Sequence, residues 1–128
     1  MSRSLVLALV LLTGAALVIA EEDATGNWEG SFQTQEGYFG SLTALVSIEP
    51  DGTYKADVSA YEQGIDFRLP GRKVAEKVVF SGTVEVSPEI GSMEINGEIA
   101  GEKFSGTFKG NIYSGTFELK RLKKKSGD

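Results

Sequence analysis

From Trp28 to Leu119, apolar and polar residues alternate in short runs broken by Gly, Pro, Asp and Asn. A period of two sends successive side chains to opposite faces, so this pattern prescribes strands. No window carries the repeat of an amphipathic helix. Eight strands are expected, at about 27–35, 40–49, 53–61, 64–69, 73–86, 92–100, 103–109 and 111–121. One parity collects Trp28, Phe32, Leu42, Val46, Tyr54, Val58, Phe67, Leu69, Phe80, Ile95, Ile99, Phe104, Phe108, Phe117 and Leu119. The other collects Glu29, Lys55, Asp57, Asp66, Arg68, Glu85, Glu94, Glu98 and Glu118, with many Ser and Thr. Each strand therefore has one apolar face and one wet face, and must either pack on a second sheet or close on itself.

Turn chemistry separates the strands. Pro50-Asp51-Gly52 joins the second and third, because Pro presets the turn and Gly accepts positive φ. Leu69-Pro70-Gly71 and Ser87-Pro88-Glu89 mark further breaks, and Gly101-Glu102 and Gly110-Asn111 are expected as tight hairpins. Connections this short favour an up-and-down meander over a Greek key.

Within the apolar parity a shorter motif recurs, apolar-x-Gly-x-apolar. It is found around Gly30, Gly82, Gly97, Gly106 and Gly115, and three copies read Phe-Ser-Gly-Thr-Val, Phe-Ser-Gly-Thr-Phe and Tyr-Ser-Gly-Thr-Phe. Glycine inside a strand costs about 0.5–1 kcal/mol relative to alanine, so inward glycines at matching positions need a reason. A missing side chain lets a strand bend, and it makes room for a large neighbour on the next strand. Both point to a small closed barrel.

Gly26-Asn27-Trp28, opening the first strand, resembles the Gly-x-Trp signature of the lipocalin and avidin-like (calycin) barrels. Gly115-Thr116-Phe117 followed by Lys120-Arg121 is similar to the close of small calycin-like domains of bacterial secreted proteins. The resemblance implies an all-β, eight-stranded antiparallel barrel with Trp28 on its floor and Arg121 closing over it. The chain departs from a full lipocalin in its length, in lacking that family's central turn motif and in showing no C-terminal helix.

Before the barrel, Arg3 precedes an uncharged apolar run from Leu5 to Ile19, and Ala20 is followed by Glu21-Glu22-Asp23. That is the layout of a secretory signal peptide, although an uncleaved anchor shares its composition. The expected organisation is a signal peptide at 1–20, a lead-in at 21–26, the barrel at 27–121 and a basic tail at 122–128. The product would be exported, periplasmic or extracellular. The chain has no cysteine, so neither a disulfide nor a cysteine-linked lipid anchor is available. Residues 21–119 hold 17 acidic against 7 basic residues, whereas 120–128 carry five basic residues and Asp128. The acidic body argues against nucleic acid as a partner, and membrane contact is expected only through the tail.

Catalysis is not expected. The chain has no His and no Cys, and its strand carboxylates fall on the wet parity, away from any cleft that would perturb them. No loop has the ligand spacing of a metal site, and no cofactor is implied. Two functions remain. The first is binding of an apolar or amphipathic small molecule inside the barrel, with Tyr54, Phe67, Phe80, Phe104 and Tyr113 as candidate lining. Against it stands a filled interior, since eight strands enclose a space that side chains can just occupy. The second is binding of an exported protein through the rim loops, with Tyr38 and Phe39 as the candidate contact. These aromatics have an alternative role, folding back over the barrel mouth. A monomer is expected in either case.

Overall fold

The computed structural model describes residues 24–122, so the expected signal segment and the tail beyond Leu122 lie outside the described residues. Eight antiparallel strands close into one barrel in chain order. They are β1 (Gly26–Thr34), β2 (Phe39–Ile48), β3 (Tyr54–Ala60), β4 (Ile65–Val74), β5 (Lys77–Ser87), β6 (Gly91–Ala100), β7 (Lys103–Gly110) and β8 (Ser114–Arg121). Closure runs along β1 and β8, in register from Trp28 opposite Arg121 to Thr34 opposite Gly115. The all-β meander expected from the alternation is therefore the observed architecture.

Up-and-down order sorts the connections to two ends. Segments 35–38, 61–64, 88–90 and 111–113 lie at one end, and 49–53, 75–76 and 101–102 lie at the other. At 49–53, Gly52 takes φ +91° and the Asp51 carboxylate accepts hydrogen bonds from the Thr53 amide (3.0 Å) and hydroxyl (2.7 Å). Those bonds, the hydroxyl's above all, hold the Asp51 carboxyl below its ordinary range.

One break was misplaced. The structure carries β4 straight through Leu69-Pro70-Gly71 to Val74, and the chain reverses at 75–76 instead. Pro70 keeps its place in register opposite Lys55 on β3. On its other side, pairing with β5 extends only from Val74–Lys77 to Gly71–Phe80 and stops at the proline. A residue without an N–H is tolerated where the ladder does not need that donor. Ala75 makes the actual reversal with φ +58°, a left-handed conformation that costs a non-glycine residue about 1–2 kcal/mol. The last hairpin is also longer than expected: 111–113 form a loop closed by the Gly110 amide donating to the Tyr113 carbonyl at 2.8 Å.

The inward glycines have a specific geometric cause. Glycine and phenylalanine stand directly opposite one another as Gly40–Phe32, Gly71–Phe80, Gly97–Phe80, Gly106–Phe117 and Gly115–Phe108. A Cβ on Gly71 would lie 2.5 Å from the Phe80 ring, and one on Gly40 would lie 2.8 Å from the Phe32 ring. In four of these pairs the ring lies across the glycine opposite it, whereas Gly97 is covered by the rings of Phe117 and Phe104. This is how a tightly coiled sheet covers inward glycines. Gly30, Gly106 and Gly115 also admit close backbone approach, because a Cβ at each would lie 2.0 Å from a carbonyl oxygen of the neighbouring strand. Gly82 is different: its nearest neighbour would be Leu69 Cδ2 at 3.5 Å, an ordinary contact.

The end at which the described residues begin and finish is built on a packed aromatic floor. Trp28 is fully buried there and its indole N–H donates to the Ala24 carbonyl at 3.0 Å. The Arg121 guanidinium lies 4.6 Å from the indole centroid and donates to the Thr25 carbonyl at 2.9 Å. This is the floor that the resemblance implied, with Arg121 closing over Trp28, and such a cation–π contact contributes about 0.5–2 kcal/mol. Above the indole, Phe104 is the hub of an aromatic cluster. Its ring centroid lies 5.9 Å from Trp28, 5.2 Å from Phe80 and 5.7 Å from Phe117.

Candidate functional site

Packing does not continue to the other end. Between Phe104 and the mouth, the barrel encloses a cavity of about 390 Å³. This lies within the roughly 300–1,000 Å³ typical of small-molecule sites. Strand alternation supplies its walls: Leu42 and Ala44 from β2, Val58 and Ala60 from β3, Ile65, Phe67 and Leu69 from β4, and Met93 and Ile95 from β6. Phe32, Phe108, Phe117 and Leu119 complete the ring from β1, β7 and β8. Filled and hollow are thus not alternatives here, because the barrel is packed at the floor and open at the mouth.

The mouth is aromatic and exposed. Tyr38 and Phe39 line the opening, yet are 63% and 75% exposed, so they border the entrance without sealing it. Tyr38 is held by its neighbours: its ring meets that of Tyr113 edge to face at 6.1 Å, and its amide donates to the Thr34 hydroxyl at 3.0 Å. Beside them, Tyr61 is 87% and Ile112 is 52% exposed on two other mouth loops. Of the two roles considered for Tyr38 and Phe39, a contact surface and a fold back over the barrel mouth, the second is not what they adopt: both reach the opening and neither covers it.

Of the candidate lining residues, Phe67, Phe104 and Tyr113 border the cavity. Tyr54 and Phe80 do not. Tyr54 begins β3 at the floor end, where it borders a second, partly open pocket of about 670 Å³ with Lys73, Glu76 and Arg121. Phe80 lies in the first half of β5 and is fully buried against Phe104 in the aromatic floor. Both have the correct parity but the wrong depth. Phe32, Phe108, Phe117 and Met93 share that parity and line the cavity, and their distance along the strand from the mouth loops was the signal that distinguishes them.

The ionisable groups are elsewhere. Asp57 pairs with Arg68 at 2.7 Å, Glu49 with Lys55 at 3.2 Å and Glu98 with Lys77 at 3.3 Å, all on the outer wall. The bond to Asp57 raises the Arg68 pKa further above its ordinary value. Exposed pairs of this kind are screened by solvent, contribute little to stability and create no cleft chemistry. Among the described residues, no cluster of three or more His, Cys, Asp or Glu side chains is placed to hold a metal ion. The cavity itself offers contact area and a few hydroxyl and amide groups. Such a site can enclose an apolar body, but it supplies no nucleophile paired with a base. Scans against protein-family models and searches of curated proteins and solved structures find no match to this chain.

Proposed function

We propose that this chain is an exported, monomeric, non-enzymatic barrel of calycin-like type, which carries an apolar or amphipathic small molecule in the mouth-side cavity. The observation that carries this reading is the asymmetry of the interior. The aromatic packing of the floor stops at Phe104, and above it the walls border about 390 Å³. Filling such a space with side chains would add apolar burial worth about 25 cal/mol per Å². Leaving it open gives up that stability, which is consistent with a ligand occupying it. Export rests on the apolar Leu5–Ile19 segment and the small residue at position 20.

Titration with the neutral fluorophore N-phenyl-1-naphthylamine tests this reading. Saturable one-to-one enhancement is expected for the native chain. Ala60 is buried on the cavity wall, so Ala60→Trp fills the site and should abolish the enhancement while leaving the circular dichroism of the barrel intact. No enhancement with the native chain, or an unchanged curve for Ala60→Trp, would overturn the reading.

The exposed rim favours one other reading, a protein partner held by Tyr38 and Phe39. That reading expects a partner from the native exported fraction whose capture is lost in the Tyr38→Ala/Phe39→Ala variant and survives Ala60→Trp.

A further inference from the structure

The cavity has an unbalanced chemistry. None of its lining side chains bears a formal charge at neutral pH, and its side-chain polar atoms belong to Thr34, Tyr38, Gln63 and Tyr113, all near the mouth. Thr34 is the buried polar residue of the described barrel. Its oxygen accepts the Tyr38 amide, which leaves the hydroxyl proton to donate. Gln63 ends the 3-10 turn Tyr61–Gln63 and offers both a donor and an acceptor from an exposed position.

The doorway carries the opposite of what an anion needs. Glu36, Glu62 and Glu89 are exposed on three of the four mouth connections, and none of those three connections contains Lys or Arg. The nearest basic side chain in sequence to the fourth is Lys109, at the end of β7. Arg68, farther down the outer wall of β4, is engaged by Asp57. An ionised carboxylate entering the cavity would lose water without meeting a cation, and would pass three like charges to do so. A hydroxyl, ester or amide head meets neither penalty, and the four polar side chains can satisfy its hydrogen bonds.

We propose that the ligand is an uncharged amphipath, with its chain against the Phe104 floor and its hydroxyl or carbonyl head among Thr34, Gln63 and Tyr113. The site thereby selects against the corresponding carboxylate. This inference rests on the ligand-carrying reading above, and deepens it to a substrate class.

Displacement of N-phenyl-1-naphthylamine by dodecan-1-ol and by dodecanoate, at pH 8 and below their aggregation limits, tests the inference. The alcohol is expected to bind at least tenfold tighter. Dodecanoate should tighten by about tenfold per unit as pH is lowered from 8 to 6, because only its protonated form enters freely and that form is scarce above the ordinary carboxyl pKa. Gln63→Lys and, separately, Glu62→Lys supply a cation at the exposed rim and should each narrow the alcohol-to-acid ratio at least threefold. Equal or tighter binding of dodecanoate at pH 8, or a ratio untouched by both substitutions, would overturn the selection while leaving the carrier reading standing. Failure of the fluorophore itself to bind would remove both.

Discussion

Gly106→Ala is expected to destabilise the barrel by about 3 kcal/mol or more, at the upper end of what overpacking costs. A Cβ at this position would lie 2.0 Å from the Asn96 carbonyl oxygen and 2.6 Å from the Gly97 Cα. Both are backbone atoms of β6, so no side chain can rotate away to relieve the overlap. The strands must separate, and Gly97–Gly106 is the pair at which they meet. The Phe117 ring, 2.8 Å from the same Cβ, would be displaced as well. A domain of this size is stable by only about 5–15 kcal/mol, so a loss this large removes much of the margin. Thermal unfolding followed by circular dichroism should show a Tm lower by more than about 10 °C. Gly82→Ala is the matched control. It belongs to the same repeated motif, but its Cβ would make only an ordinary 3.5 Å contact with Leu69. It should be neutral, or more stable by about 0.4–1 kcal/mol through a less flexible unfolded chain. Equal losses at the two sites would show that close strand approach is not what these glycines serve.

Phe104→Ala is expected to cost about 3–5 kcal/mol, the range for truncating a buried aromatic side chain. Phe104 is 1% exposed and joins the floor ring of Trp28 to Phe80 and Phe117. It also forms the bottom of the cavity. Its removal should therefore do two things that are separable by measurement. Chemical denaturation reports the lost packing, and titration with alcohols of increasing chain length reports a deeper site that now admits a longer chain. Phe104→Leu keeps most of the volume and should cost less on both counts. A variant that loses stability with no change in chain-length preference would place the cavity floor elsewhere.

The residues themselves explain what was legible before the fold. Alternation fixes parity, and parity identified eight strands and the inward set, whereas the closure of Arg121 over Trp28 was implied by the resemblance. Turn letters were less informative. Pro70-Gly71 has the letters of a turn but lies within β4, where Gly71 makes room for the Phe80 ring. Ala75 carries no turn signal and yet makes the reversal at positive φ. Depth along the barrel axis is a property of the closed assembly. Tyr54 and Phe80 share parity with Phe67 and Tyr113, and differ only in lying toward the end where the barrel is packed. The cavity follows from how large side chains are apportioned between the two ends, which no single strand reveals.

Methyl-resolved NMR during titration with dodecan-1-ol tests the division of the interior most directly. The account predicts saturable, one-to-one shifts at Leu42, Ala44, Ala60 and Ile95, which line the cavity. Val46 and Ala56, buried toward the floor and bordering neither pocket, should hold still. Shifts of equal size in both groups, or no saturable shift at the first, would contradict it.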